Sequence, residues 1–129
     1  MKETENVILE KSFSFAVRIV KASRHLRESK KEFILSKQLL RSGTSIGANA
    51  EEAMSGQSDA DFVSKFSIAQ KEARETHYWI RLLTKTSFFT EQESQSLLSD
   101  LNELLRIIAS IILTTKSKIE KQKRKHNNS

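Results

Sequence analysis

The residues with the clearest chemistry are lysines and arginines, and they cluster in two segments. Between positions 116 and 125, six basic residues stand against one acid, Glu120, so this segment carries a charge of +5. Clustered cations bind nucleic-acid backbones because they release the counterions condensed on phosphates. The sequence therefore predicts a phosphate-contacting arm, made of Lys116, Lys118, Lys121, Lys123, Arg124 and Lys125.

A second basic cluster near the N-terminus predicts a secondary contact surface, made of Arg18, Lys21, Arg24 and Arg27. Two alternative interpretations of the C-terminal arm are a solvated end that only aids solubility and a membrane-surface anchor. The membrane alternative is the weaker one, because Ile119 is the only apolar residue of the arm and an amphipathic anchor needs a whole apolar face.

The composition argues against catalysis and against a metal site. The chain has no cysteine, which excludes disulfides, thiolate metal sites and cysteine nucleophiles. Helical bundles that bind two metals use Glu-x-x-His motifs. Here the residues three positions before the histidines are Ala22, Arg74 and Lys123. We therefore predict a protein that is not an enzyme and uses no cofactor or metal.

Several polar residues fall on otherwise apolar helical segments. Such groups must be hydrogen-bonded when buried, so they predict a network that fixes helix register or subunit pairing, with ligand or metal binding as the alternative. The set is Arg41, Asn49, Glu52, Arg74 and Glu75. Tyr78 and Trp79 are adjacent and cannot both face one core. One of them should pack inside, and the other should meet a neighbouring helix, another subunit or a nucleobase.

Helices must position all of these residues. Proline is absent and glycine occurs three times, which excludes a turn-rich β fold. Spacings of three and four between apolar residues, together with capping signatures, predict an antiparallel, up-down-up-down four-helix bundle within residues 1–115. The predicted helices span about residues 9–28, 32–55, 59–85 and 91–115, and residues 116–129 are predicted to be a frayed helix that becomes disordered.

The antiparallel arrangement predicts particular neighbours. A turn near residue 58 places Arg41 opposite Glu75, and a turn near residue 88 places position 115 opposite position 61. Within the second helix, Gly43 and Gly47 predict a close approach of two helices, because glycine otherwise weakens a helix. A phosphate-binding role for these glycines is the alternative, although their spacing matches no phosphate loop.

Two blocks carry a resemblance to a known family. Residues 38–49 read QLLRSGTSIGAN, and residues 67–69 and 73–80 read SIA and ARETHYWI. Together with the flanking helices, over about residues 12–115, they resemble the 23S rRNA intervening-sequence proteins. Glu51 and His77 depart from the family pattern, which has isoleucine-alanine-glutamate after the asparagine and commonly glutamate at the position of His77.

The resemblance implies a bundle that assembles into a ring, typically a homopentamer, and it suggests a link to nucleic acid. The fold is also similar to the basic accessory protein of the reverse transcriptase of diversity-generating retroelements. The leading hypothesis is a non-catalytic oligomer that binds RNA or DNA phosphates. The competing one is an adaptor that docks another protein, such as a polymerase. No signal peptide is apparent, so we expect a cytoplasmic protein that does not enter membranes.

Overall fold

The computed structural model describes residues 2–128, and their regular structure is helical throughout. The helices are α1 (Glu3–Glu28), α2 (Leu35–Met54), α3 (Asp59–Lys85) and α4 (Glu91–Asn127). This confirms the predicted all-α fold of four helices. α3 has the predicted bounds, whereas α1 begins at Glu3 rather than near residue 9.

The four helices form a bundle in which each helix packs against two others. α1 lies beside α2 and α4, and α3 lies beside the same two, while among the described residues the backbones of the diagonal pairs, α1–α3 and α2–α4, do not approach each other closely. The core between the helices consists of large apolar side chains, each of which contributes about 1.5–3 kcal/mol by leaving water. The largest fully buried ones are Ile8, Phe15, Ile19, Leu26, Leu39, Ile46, Phe66, Ile80, Leu83, Leu101, Leu104 and Ile108.

Ion pairs across the seams record how the helices align. On α4, Glu103 lies 3.0 Å from Lys11 of α1, and the earlier Asp100 lies 2.6 Å from the later Arg18. Between α2 and α3, Glu52 pairs with Lys65 at 3.0 Å, whereas Arg41 pairs with a residue much later in α3. Along both seams, therefore, residues later in one helix contact residues earlier in its neighbour.

α3 and α4 begin where the sequence predicts, and each start is capped by a side chain. The Ser58 hydroxyl accepts a hydrogen bond of 3.1 Å from the Asp61 amide at the start of α3. At the start of α4, the Thr90 hydroxyl accepts from the Glu93 amide at 3.1 Å, and the Glu93 carboxylate accepts from the Thr90 amide at 2.8 Å. These bonds satisfy backbone donors that have no partner within the helix, which fixes both starting points.

The predicted start of α2 at residue 32 is wrong, and the reason is local. Lys31 has a φ of 55°, so the backbone cannot enter a helix there. The Glu32 carboxylate caps the helix instead. It accepts hydrogen bonds from the backbone amides of Ile34 at 3.3 Å and Ser36 at 2.7 Å. The helix consequently begins at Leu35.

Small residues bring α1 and α2 close together, as predicted. A Cβ atom built on Gly43 would lie 2.7 Å from Cγ2 of Ile19, and one built on Gly47 would lie 3.3 Å from the backbone oxygen of Ser12. Neither position has room for a side chain without movement of α1. The glycines thus set the separation of these two helices.

α4 differs from its predicted form at the C-terminus. It continues as one helix through Asn127 instead of ending near residue 115, so the predicted passage into disorder does not occur within α4. A helix propagates more easily than it nucleates, and Lys, Glu, Gln and Arg, which fill this segment, are good helix formers. Among the described residues, no helix is long and apolar enough to cross a membrane.

Candidate nucleic-acid interface

The predicted basic arm is the last part of α4, where the helix extends past the beginning of α3. Lys118 marks the crossing point: its Nζ lies 3.3 Å from a carboxylate oxygen of Asp59, the first residue of α3. This register agrees with the predicted alignment of position 115 with position 61. All six basic residues of the arm are exposed.

The charges of the arm lie on more than one side of the helix. Lys118, Lys121 and Lys125 follow one another at spacings of three and four, so they form one row. Lys116 and Lys123 are seven positions apart and form a second row. Ile119, between the rows, is only partly buried. The projecting segment therefore presents cations to a polyanion from several directions.

A shallow groove runs along the first row and reaches the N-terminal end of α1. It is lined by Lys2, Leu113, Lys118, Lys121, Arg124 and Lys125. The aliphatic Leu113 is 72% exposed at the floor of this cationic surface. Lys2 adds a cation from a part of the chain that charge counting at the C-terminus alone does not reveal.

The basic residues of α1 occupy the other end of the bundle. Arg18 donates to Asp100 at 2.6 Å and to the Ser96 hydroxyl at 2.7 Å, so its charge is already partly neutralised. Asp100 precedes Lys118 on α4 by about 27 Å at the helical rise per residue. Within one chain, the two predicted basic surfaces are therefore separate.

The other predicted residues of α1 keep more of their charge available. Lys21 and Arg24 are exposed, and neither forms an ion pair with another described residue. Arg27 is partly buried and directs Nε toward the Ser23 carbonyl oxygen at 3.4 Å. Lys21 and Arg24 are therefore the residues of this surface that are available for a phosphate contact.

Two residues of the predicted polar network, Arg41 and Glu75, are in contact. Arg41 of α2 binds Glu75 of α3, and it also binds Glu72 at 3.2 Å. Glu75 accepts a further hydrogen bond of 3.0 Å from the indole Nε1 of Trp79. The structure thus confirms the predicted Arg41–Glu75 pair and adds two partners, Glu72 and Trp79, that sequence reasoning missed.

The other three residues predicted for this network do not join it. The Asn49 side chain donates to the Ser45 carbonyl oxygen of its own helix at 2.8 Å. Glu52 is exposed and pairs with Lys65. Arg74 is exposed and forms no hydrogen bond or ion pair with the described residues. Asn49 and Glu52 lie about two and three turns beyond Arg41 along α2, so they are too far along the helix axis to reach its partners.

A hydroxyl pair fills the buried α2–α3 seam instead. Thr76 donates to the Ser42 hydroxyl at 2.9 Å, and neither side chain is accessible to solvent. Hydroxyls are small enough for close helix packing. Each also lies within hydrogen-bond distance of a carbonyl oxygen of its own helix, Thr76 of Glu72 at 2.7 Å and Ser42 of Leu39 at 3.4 Å, so neither is without a partner in the core. The small-residue spacing of α2 was the available signal for this contact.

The adjacent aromatic residues separate as expected. Trp79 is partly buried against the core, whereas Tyr78 is 49% exposed on the outer side of α3. Their rings meet edge to face with centroids 5.1 Å apart. The Arg81 guanidinium lies 5.9 Å from the centre of the Tyr78 ring, and Arg81 Nε donates to Nδ1 of His77 at 3.0 Å.

Polar side chains at the bundle ends do not assemble into a metal site. Among the described residues there is no group of three or more His, Asp or Glu side chains that could hold a metal ion.

Known proteins resemble this chain over nearly the whole bundle. The sequence pattern of the 23S rRNA-intervening sequence protein family matches residues 4–110, and the basic arm lies beyond that match. The chain is also similar to a protein of known crystal structure, with unknown function, from the S23 ribosomal protein family of Bacteroides thetaiotaomicron VPI-5482. The two sequences are 50% identical, and the structures superpose with a TM-score of 0.84. The similarity covers 84% of this chain and 97% of that one. No curated protein matches. The chain therefore belongs to the 23S rRNA-intervening sequence protein family.

Proposed function

We propose that this protein is a non-catalytic, nucleic-acid-binding bundle that contacts the phosphates of RNA or DNA through the projecting end of α4. The observation that carries the proposal is the row of exposed cations on a helical segment beyond Lys118, where no other helix of residues 2–128 covers it. Phosphate contacts carry no base identity, so binding should be tolerant of sequence.

The same proposal includes assembly. We infer an antiparallel, up-down-up-down bundle, supported by the opposed contacts along the α1–α4 and α2–α3 seams. The bundle associates as a homo-oligomer, a pentameric ring by family resemblance. Phe13 and Val17, one turn apart on α1, are 66% and 40% exposed and offer an apolar strip to a second copy. A ring would multiply weak phosphate contacts by raising their effective concentration.

A salt series tests the proposal. A fluorescent structured RNA and a matched DNA duplex are titrated with the full chain, with a version ending at Thr115, and with a full-length variant carrying glutamine at positions 116, 121, 123, 124 and 125. The glutamine variant keeps the Lys118–Asp59 pair and good helix formers. It therefore separates loss of charge from loss of the helix.

The expected result is binding that falls linearly on a log–log plot against salt, with a slope of about 0.9 per phosphate contacted on duplex. Both altered proteins should lose most of that slope. If neither nucleic acid binds the full chain at low salt, the proposal fails. If the glutamine variant binds like the unaltered chain, the arm is not the contact surface.

An adaptor that docks another protein, such as a polymerase, is the second candidate. The exposed Phe13 and Val17 favour it, because an apolar strip can bind a foreign helix as well as a second copy. Light scattering on a Phe13→Ser variant separates these uses. A lower mass than the unaltered protein assigns the strip to self-association, and an unchanged oligomer leaves it available to a different protein.

A further inference from the structure

A second cationic surface lies on the outer side of α3, away from both basic clusters considered so far. Five residues follow one another at spacings of three and four, and all five are exposed: Lys71, Arg74, Tyr78, Arg81 and Lys85. Positions with this spacing form one continuous stripe along a helix. We call these five residues the α3 ridge.

The ridge is purely cationic around a single aromatic ring. None of its four basic residues forms an ion pair with another described residue. The two acids within the same stretch, Glu72 and Glu75, turn toward α2 and bind Arg41 there. Arg41 offsets one of their two charges, and both carboxylates are held toward α2, so the four cations of the ridge still outnumber the acids beside them.

The ring at the centre of the ridge is held in place and accessible. Tyr78 is 49% exposed, its ring and that of Trp79 meet edge to face, and the Arg81 guanidinium lies 5.9 Å from its centroid. Trp79 is itself fixed by its hydrogen bond to Glu75. A ring braced on one side and open on the other is suited to stacking, since its conformational freedom is already reduced.

We propose that the α3 ridge binds a single-stranded segment of nucleic acid, with Lys71, Arg74, Arg81 and Lys85 contacting successive phosphates and Tyr78 stacking on an unpaired base. Proteins that bind single strands combine a basic track with aromatic stacking platforms. The ridge is about 21 Å long at the helical rise, which spans about six nucleotides at stacked spacing. In a duplex the bases are already stacked on one another, so Tyr78 would find no free face.

This inference deepens the proposed function, since both surfaces take nucleic acid, but it uses residues that the arm does not contain. The test measures binding of a fluorescent 12-nucleotide single strand, as RNA and as DNA, and of a matched duplex. Full-length variants are Tyr78→Ala, Tyr78→Phe and the double variant Lys71→Gln/Lys85→Gln. The matched control is Lys30→Gln/Lys37→Gln, which removes two exposed lysines outside the ridge.

For the single strand, Tyr78→Ala should weaken binding by at least about fivefold, the lower end for loss of one stacked base. Tyr78→Phe should bind like the unaltered protein, because it keeps the ring. Lys71→Gln/Lys85→Gln should lower the salt slope by about 1.4, whereas the control pair should leave it unchanged. Duplex binding should not respond to Tyr78→Ala.

The outcomes separate this inference from the function of the arm. Single-strand binding that survives removal of residues 116–129 but falls with Tyr78→Ala supports the ridge, and duplex binding that also survives this removal overturns the arm. If single-strand binding is lost on removal of residues 116–129 and is unchanged in the ridge variants, the ridge is overturned. An equal effect of Tyr78→Ala on duplex and single strand, or of the control pair and the ridge pair, also overturns it, as does no binding of any strand.

Discussion

Arg41 of α2 holds two carboxylates of α3, and the nearer of them, Glu75, is also the acceptor for the indole of Trp79. This chain of contacts joins the α2–α3 seam to the base of the Tyr78 ring. Arg41 is 49% exposed, so solvent screens part of its attraction to Glu75.

Replacement of Arg41 should therefore cost more than replacement of one acid. Arg41→Ala leaves Glu72 and Glu75 one turn apart with no cation between them, and we expect a loss of about 1 kcal/mol in the free energy of unfolding. Glu75→Gln keeps one ion pair and should cost less. Urea unfolding of both variants and of the double variant gives the coupling energy, and a coupling of zero would contradict a working pair.

Gly43 should resist substitution more strongly than its helical position suggests. Alanine is a better helix former by about 1 kcal/mol, yet its Cβ would lie 2.7 Å from Ile19 Cγ2. We expect Gly43→Ala to destabilise the bundle by about 1–3 kcal/mol through overpacking.

The matched test of this clash is the Ile19→Ala background, which removes the atoms nearest to the new methyl group. Thermal unfolding should show a smaller cost of Gly43→Ala there than in the unaltered protein. An equal cost in both backgrounds would mean that contact with Ile19 is not the cause of the destabilisation.

The cap of α4 should make stability depend on acid pH. The hydrogen bond from the Thr90 amide is the main cause that lowers the pKa of Glu93. A carboxylate with a lowered pKa contributes its stability above its unfolded pKa and loses it as pH falls through the folded pKa. We expect Glu93→Gln to flatten the decline of the unfolding free energy below about pH 4.5. A parallel decline in both proteins would assign the acid sensitivity elsewhere.

His77 should have a pKa below that of an unperturbed histidine. Burial first, and then the charge of Arg81, lower its pKa from 6.5. Since the unfolded chain then binds the proton more tightly, His77 favours the folded state above pH 6.5, and this contribution is lost as pH falls through the lower folded pKa.

Two-dimensional NMR of the histidine ring protons measures this midpoint directly. Arg81→Gln should raise the His77 midpoint, because it removes the neighbouring positive charge, while the burial effect persists. A midpoint of 6.5 or above in the unaltered protein would contradict the partial burial of the ring and its hydrogen bond from Arg81.

The fold was predictable because its signals are local and repeated. Apolar spacing and the Ser58 and Thr90 caps place α3 and α4 at their observed starts. The start of α2 was missed because Glu32 caps from outside the helix, in a loop that Lys31 turns with a positive φ. Glu93 accepts a hydrogen bond from the amide of Thr90, which precedes it, whereas Glu32 accepts one from the amide of Ser36, which follows it. The pattern of residue types does not distinguish these two arrangements.

The candidate surfaces were only half predictable, for a geometric reason. The arm is visible as a run of charges, but the ridge is not, since Lys71 and Arg74 are interleaved with the acid Glu72 in the sequence. Counting charge along the chain adds residues that face opposite sides. Only the pairing of Glu72 and Glu75 with Arg41 shows that the outer side of α3 keeps its positive charge.

The continuous helix at the end of α4 gives the arm a mechanical character. A random coil would have to surrender its many conformations upon adsorbing to a polyanion, whereas a rod that leaves the bundle at Lys118 keeps one direction and a fixed spacing of 1.5 Å per residue. The spacing of its cations is therefore fixed before nucleic acid binds, which makes the arm a preorganised binding surface. A rigid arm should favour nucleic acids whose phosphates are regularly spaced over flexible ones.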